Sequence, residues 1–140
     1  MSDTGWHWSD GSLVEEFPAG SVGFVYMITC KNSGKFYVGK KKLNFKRTKQ
    51  VKGKKKRIEV ESDWRIYYGS NDELRADVAA MGEDAFYRMI LHVCKTLSEC
   101  NYMETYEIFN RNCLLREDCY NSWVSCKIHK KHVVGKLRQL

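Results

Sequence analysis

The sequence has little proline, no long apolar run and no closely spaced cysteine pair. One proline in 140 residues, with an apolar fraction of 43%, argues against a disordered chain. No apolar stretch approaches the roughly 20 residues that cross a bilayer, so no membrane partner is expected. The first 16 residues contain no Lys or Arg, which argues against an export or organelle signal. These absences predict one soluble cytoplasmic domain.

Cysteine is present six times but in no Cys-x-x-Cys pair. Without an export signal, most of these cysteines are expected to be reduced, half-buried thiols. The one metal-like cluster consists of Cys113, Cys119, Cys126 and His129, with His132 nearby. Its spacing fits no standard zinc pattern well, so zinc binding there stays open and is the less favoured answer.

Acidic residues are missing from residues 40–57, which contain nine lysines and two arginines. The whole chain has 24 basic and 17 acidic residues, so the rest of it has 13 and 17, a net charge of −4. One dense cationic segment predicts a polyanionic partner, and nucleic acid is favoured over membrane because no amphipathic stripe accompanies the lysines. The alternative is a solvated loop without a partner. The candidate nucleic-acid-binding side chains are Lys41, Lys42, Lys46, Lys49, Lys52, Lys54, Lys55, Lys56 and Arg57.

Local patterns predict a hairpin, a basic loop, a helix, a strand and a second helix, which is an α+β order. Capping boxes at Ser70–Glu73 and Thr96–Glu99 mark the two helix starts, and Gly82 ends the first helix. The basic segment is expected to be a short helix followed by a mobile loop. The predicted elements are strands over 24–30, 35–38 and 86–93, and helices over 71–82 and 96–112. The predicted organisation is an arm or irregular cap over 1–21, one domain over 22–125 containing the basic loop 40–57, and a basic tail over 126–140.

The second predicted helix contains a candidate metal ligand. Glu104 shares one helical face with Cys100 and Ile108 at steps of four residues. A carboxylate on an inward face is unfavourable unless it is paired or bound to a metal, which makes Glu104 a candidate ligand for a hard divalent cation. Glu107 on the flank of this face is the fallback, and Glu99 is explained by capping.

Two tyrosines lie on the strands of the predicted hairpin. By residue type alone they are ordinary strand residues, because a free phenol titrates near about pH 10 and is a poor base. Their spacing changes this interpretation. Tyr26 closes a Phe-Val-Tyr motif, Tyr37 opens a Tyr-Val-Gly-Lys motif after ten intervening residues, and Arg47 lies eight residues beyond the glycine. This ordered set resembles the GIY-YIG nuclease family.

The resemblance covers about residues 23–123. Trp64-x-x-x-Tyr68-Gly-Ser70, Phe86–Leu91 and Tyr120-Asn121 are similar to the free-standing endonucleases of bacteriophages, including the Seg-type homing enzymes. It implies a small three-stranded antiparallel sheet flanked by helices, with the arginine on a helix. The first motif departs from the family pattern, and the histidine that several relatives have after the arginine is missing. There is also no room for a separate DNA-reading domain.

The resemblance assigns roles to the hairpin and the basic segment. Tyr26 and Tyr37 are the implied active-site pair, with Tyr26 taking the proton from the attacking water. Lys40 matches the basic residue that follows the second motif, and Arg47 is expected to contact the scissile phosphate.

The remaining implied residues come from the second half of the chain. Glu104 is the implied ligand of Mg²⁺ or Mn²⁺, and Asn121 orients the tyrosine or the glutamate, or caps the sheet. The expected activity is metal-dependent hydrolysis of phosphodiester bonds in double-stranded DNA, in the host cytoplasm if a phage encodes the chain. A homodimer stays open, because a lone active site cuts one strand at a time.

Two other functions compete with the nuclease. The first is a nucleic-acid-binding protein that keeps the fold without catalysis. The second is an interaction protein, in which the lysines bind an acidic protein and Trp6 and Trp8 anchor the contact. We rank the nuclease first, because every reactive position of the family pattern other than the histidine is filled.

Overall fold

The computed structural model describes residues 4–135, so the first three residues of the predicted arm and the last five of the predicted tail lie outside it. Within this range, no helix is long and apolar enough to cross a membrane. Short 3₁₀ turns connect several of the main elements. The strands are β1 (Trp6–His7), β2 (Gly23–Cys30), β3 (Phe36–Lys42), β4 (Asn44–Val51), β5 (Lys54–Glu61) and β6 (Phe86–Cys94), and the helices are α1 (Asp72–Met81) and α2 (Leu97–Asn110).

The central sheet has four strands in the order β1-β6-β2-β3. β2 pairs antiparallel with both β3 and β6, as predicted, but β1 adds a parallel edge beside β6. The expected three-stranded antiparallel sheet is therefore corrected to a mixed four-stranded sheet. The physical reason is Trp6, which is 2% exposed and whose Nε1 donates to the Trp64 carbonyl at 2.6 Å. The segment expected to be an arm or cap thus joins the core over its described residues.

Both faces of the sheet are covered, which explains the composition of β2. Tyr26 alternates with Val25, and the two side chains enter different clusters. Tyr26 packs with Trp6 and with Leu74 of α1, whereas Val25 packs in the cluster that contains Met103 of α2. Burial of such large apolar side chains on each face contributes about 1.5–3 kcal/mol per residue to folding. The strand is buried on both sides and lies in the interior of the sheet.

α2 begins where its capping box predicts, and α1 begins near Asn71 as predicted, although Asn71 and not Ser70 supplies the N-cap bond. The Asn71 side chain accepts the Leu74 amide hydrogen at 2.9 Å, and the Thr96 side chain accepts that of Glu99 at 3.0 Å. Glu99 accepts in turn from the Lys95 amide at 2.7 Å, so its predicted capping role is confirmed. Gly82 ends α1 with a φ of +90°, a conformation that glycine adopts without strain.

The basic segment differs from its prediction. Instead of a short helix and a mobile loop it forms a two-stranded antiparallel ribbon, β4–β5, paired from Asn44–Glu61 to Val51–Lys54. Lys52 and Gly53 close it with φ values of +51° and +77°, the pattern of a type I′ hairpin turn. Lysine favours a helix only weakly, and strand pairing overrides such a preference. As a consequence Arg47 lies on a strand and not on the expected helix.

Candidate active site

A cavity of about 410 Å³ opens at the β3 edge of the sheet. It collects side chains from both layers, because α1 begins on one side of β3 and α2 passes on the other. Four of the six predicted site residues line it together: Tyr37, Lys40, Glu104 and Asn121. The rest of its wall consists of Ser70, Asn71, Ile108 and residues 122–125, among which Trp123 is 72% exposed.

An ion pair lies at the centre of this cavity. The Lys40 Nζ is 3.2 Å from Oε1 of Glu104, and the glutamate side chain is only 15% exposed. Burial raises the pKa of the Glu104 carboxyl, and the neighbouring Lys40 ammonium opposes that rise. The inward carboxylate predicted from helix periodicity therefore has one cationic partner. The resulting pair can be opened by a metal ion or by a phosphate.

The two tyrosines occupy different depths. Tyr37 is half-buried, and its hydroxyl lies 3.3 Å from the Ser70 hydroxyl at the cavity wall. Tyr26 is fully buried behind it, with ring centroids 6.1 Å apart. Burial raises the pKa of Tyr37, and it raises the pKa of Tyr26 well above its ordinary value, with Tyr67 adding to the effect. Both phenols are therefore neutral near pH 7 in the free protein.

Gly39 allows the two phenols to approach each other. A Cβ atom at this position would overlap the Tyr26 hydroxyl oxygen and would lie 2.8 Å from Cε2 of Tyr37. Because the nearest neighbour is deeply buried, it has little room to move aside. The glycine of the second motif is thus required by packing between the two tyrosines and not by a special backbone angle.

Asn121 holds the edge strand in place. Its Oδ1 accepts from the Val38 amide and its Nδ2 donates to the Val38 carbonyl, both at 2.9 Å. The side chain thus pairs with β3 as a neighbouring strand would, and Tyr120 N–H adds a bond to the Phe36 carbonyl at 2.7 Å. This geometry corresponds to the sheet-capping alternative. It covers the backbone beside Tyr37 and leaves the amide few free hydrogen-bonding sites.

Arg47 and Glu107 lie away from the cavity. Arg47 is exposed on β4, where its guanidinium stacks 4.6 Å from the Phe45 ring and lines a separate cavity with Lys42 and Lys46. The resemblance implied that Arg47 would lie at the same site as Glu104. The structure does not bring the two together, because the ribbon places Arg47 away from the cavity. Glu107, the fallback ligand, is buried and bonds His92 at 3.0 Å and Arg111 at 2.8 Å, so internal partners account for it.

Most of the predicted nucleic-acid-binding residues lie exposed along the ribbon. Lys41 is the exception, since its ammonium is 2.6 Å from Asp63 and its side chain is only 11% exposed. On β4 and β5, Lys49 lies directly opposite Lys56, an arrangement that destabilises an isolated ribbon. The exposed members of the predicted set are Lys42, Lys46, Lys49, Lys52, Lys54, Lys55, Lys56 and Arg57.

Sequence reasoning missed two contributors to the site. Ser70, for which the sequence predicts a capping box and a place in the family motif but no site role, contacts the Tyr37 hydroxyl. Tyr67 packs against Tyr26 with ring centroids 6.1 Å apart. The Tyr-Gly-Ser motif that includes Gly69 was a usable signal, because Gly69 has a φ of +88° and turns the chain toward the tyrosines. The sequence alone did not show which strand this turn would face.

The donor groups of the cavity fit one divalent cation. Glu104 offers a carboxylate, and the hydroxyls of Tyr37 and Ser70 face the same space. Mg²⁺ keeps several waters and binds through one or two carboxylates together with substrate phosphate, so a single carboxylate suffices. In residues 4–135 no group of three or more His, Cys, Asp and Glu side chains is arranged to hold a metal ion. Zinc at Cys113, Cys119, Cys126 and His129 therefore gains no support.

The fold and this edge cavity define the class of the protein. Two phenols on neighbouring antiparallel strands, a glycine between them and a helical carboxylate at the sheet edge are the features of a GIY-YIG nuclease domain. A family model described as "Putative endonuclease segE, GIY-YIG domain" matches residues 6–124, and the chain belongs to this family. No curated protein and no solved structure matches the chain significantly. Membership supports a nuclease function and a nucleic-acid substrate.

Proposed function

We propose that the protein is a metal-dependent endonuclease of the phage homing type that hydrolyses phosphodiester bonds in double-stranded DNA. The observation that carries this proposal is the convergence of Tyr37, Lys40 and Glu104 in one solvent-accessible cavity. A hydroxyl, an ammonium and a half-buried carboxylate in this arrangement can bind a phosphate and a divalent cation at the same time. The cationic ribbon beside the cavity supplies affinity for a polyanion.

Lys40 supplies the positive charge of the site. Its side chain is 39% exposed, so it can exchange Glu104 for a phosphate oxygen when the substrate enters. A single preorganised donor aimed at developing negative charge contributes about 10²–10³ in rate. Lys40 therefore has the role that the resemblance gave to Arg47. Arg47, in the neighbouring cavity with Lys42, contacts a flanking phosphate.

Tyr37 is the phenol that meets the substrate, and Tyr26 positions it. Tyr26 has no exposed surface, so it cannot reach an attacking water without rearrangement of the core. The Tyr37 hydroxyl orients that water and accepts its proton only after the phenol has lost its own. Because burial raises the Tyr37 pKa, this loss requires positive charge nearby and is favoured as pH rises.

Glu104 would hold the metal ion. A bound Mg²⁺ or Mn²⁺ would supply charge that polarises the phosphate and stabilises the leaving oxygen. The carboxyl must be ionised to serve as a ligand, and Lys40 favours the ionised form before the metal binds. Asn121 keeps β3 and hence Tyr37 in register beside Glu104 through its paired bonds to Val38.

A plasmid assay tests the proposal. Wild-type protein is expected to convert supercoiled plasmid to nicked or linear forms with Mg²⁺, and the ratio of these forms reports whether two copies act together. Glu104→Gln and Lys40→Ala are each expected to reduce the rate at least about 10²-fold. Glu117→Gln, the same chemical change at an exposed position, is the matched control and is expected to retain activity.

A second candidate is a DNA-binding protein without catalysis. The position of Arg47 outside the cavity and the burial of Tyr26 favour it, because both depart from the roles that the family pattern gives them. It predicts that purified protein retards duplex DNA on a gel yet leaves supercoiled plasmid intact with Mg²⁺ and with Mn²⁺. That result would falsify the nuclease proposal.

A further inference from the structure

The β4–β5 ribbon has two chemically different faces beyond its base. Residues opposite each other in an antiparallel pair share a face, and faces alternate along each strand. One distal face consists of Thr48, Gln50, Lys55 and Arg57. The other consists of Lys49, Val51, Lys54 and Lys56.

The base of the ribbon shows how these faces are oriented. Phe45 and Ile58 are partly buried and lie on the face that continues into Lys49 and Lys56. The Phe45 ring contacts the Lys41 ammonium at 4.9 Å and lies in a cavity with Leu97 of α2. This face therefore packs toward the domain. Every residue of the face with Gln50 and Arg57 is exposed, including Lys46 and Glu59, which border the domain at the ribbon base.

The face with Gln50 and Arg57 has the side chains that read base edges. Arginine makes paired hydrogen bonds to guanine, glutamine makes them to adenine, and threonine contacts either polar edges or the thymine methyl group. Within residues 4–135, Thr48, Gln50 and Arg57 make no side-chain hydrogen bond or ion pair with the protein. The acidic residues of the ribbon, Glu59 and Glu61, are confined to its base.

The dimensions of the ribbon match a DNA groove. Eight residues per strand at about 3.3 Å each give a length of about 26 Å. The major groove is about 12 Å wide and admits a two-stranded ribbon, whereas a single-stranded nucleic acid offers no such groove. Cations on one face can then neutralise phosphates at the groove wall, while the other face meets the bases.

The ribbon is tied to the strand that lines the active-site cavity. β4 begins two residues after β3 ends, and the buried Leu43 lies between them. The Ser62 hydroxyl donates to the Lys42 carbonyl at 2.6 Å, and the Ser62 amide donates to the Leu43 carbonyl at 2.8 Å. These bonds fix the position of the ribbon base relative to Lys40. They therefore also fix the distance between the ribbon and the active-site cavity.

We infer that the ribbon is the DNA-reading element of this endonuclease: it enters the major groove of duplex DNA and selects bases through Gln50 and Arg57. The inference rests on the proposed function and adds a specificity-determining surface to it. No separate recognition domain is needed in this arrangement. The lysines on the opposite face give affinity without sequence preference.

Binding selection from a randomised duplex library tests the inference. Glu104→Gln protein, in which cleavage is blocked, is expected to enrich a short motif. Adding Gln50→Ala and Arg57→Ala is expected to lower discrimination at the affected positions about 5- to 150-fold. Adding Lys49→Ala and Lys56→Ala instead is the matched control, since it changes two residues of the other face. It is expected to weaken binding to all duplexes alike and to leave the motif intact.

The outcomes separate the inference from the proposed function. If wild-type protein nicks plasmid but no motif is enriched, or if the motif survives the loss of Gln50 and Arg57, the ribbon does not read bases and the nuclease proposal stands. If wild-type protein neither nicks plasmid nor binds any duplex, both proposals are overturned. The four substituted side chains are exposed, so the melting temperatures of the variants are expected to match that of the Glu104→Gln protein. Equal melting temperatures exclude unfolding as the cause of a change in binding.

Discussion

Replacement of three ribbon lysines changes the salt dependence of DNA binding by a predictable amount. Lys49, Lys54 and Lys56 share one face and have no acidic partner in the described part of the chain. Each phosphate contact contributes about −0.9 to the slope of log K against log salt concentration. The triple alanine variant is therefore expected to have a slope smaller by about 2.7. Between about 50 and 200 mM salt, the affinity of the variant is therefore expected to fall by a factor about 40 times smaller than that of the parent protein.

Fluorescence anisotropy with a labelled duplex measures this slope, in the Glu104→Gln background so that the probe stays intact. The matched control removes three exposed cations of the C-terminal region, Lys127, Lys130 and Lys131, and is expected to change the slope far less. Equal reductions in the two variants would mean that binding responds to net charge alone. An unchanged slope in the ribbon variant would refute the assignment of these lysines to phosphate contacts.

Three further predictions concern the edge of the sheet. Gly39→Ala is expected to lower the free energy of unfolding by about 1–3 kcal/mol in urea titrations, because its methyl group overlaps the Tyr26 hydroxyl. Asn121→Ala is expected to cost about 1–3 kcal/mol, since it removes two hydrogen bonds to Val38, and to slow cleavage as well. Cleavage by the wild type is expected to rise with pH above neutrality, because the Tyr37 pKa is raised and its ionised fraction grows with pH. Tyr37→Phe is expected to abolish that rise, and a retained rise would assign the base elsewhere.

Local signals in the sequence were sufficient for the elements that depend on neighbouring residues. Local capping signals give the helix starts near Asn71 and at Thr96, because an N-cap bond joins residues three apart. Steps of four residues placed Glu104 inward on α2, and the structure puts it at the cavity with a cationic partner. In each case the interaction that decides the structure lies within one turn of helix.

Signals were insufficient where distant pairing decides the structure. β1 has two residues, too few for any periodicity, and it exists because Trp6 fills the core and bonds to Trp64. The sequence predicts a helix and a loop for the ribbon because a run of lysines does not show which segment it pairs with. The turn at Lys52 and Gly53 allows β4 to pair with β5. The pairing can be recognised only from the structure of the partner strand, which begins at Lys54.

The ribbon also explains why Arg47 does not lie where the family spacing predicts. The family spacing assigns contact with the scissile phosphate to the arginine eight residues after the glycine. Such an assignment holds only when the backbone between the two residues has the same structure as in the family. Here the chain leaves the sheet at Leu43 and continues as a ribbon, so eight residues lead outward and not back to the cavity. Lys40, which precedes that departure, stays beside Glu104 in a position fixed by β3. In this chain the cation that remains attached to the active-site strand is therefore better placed to stabilise phosphate charge than the cation the family pattern names.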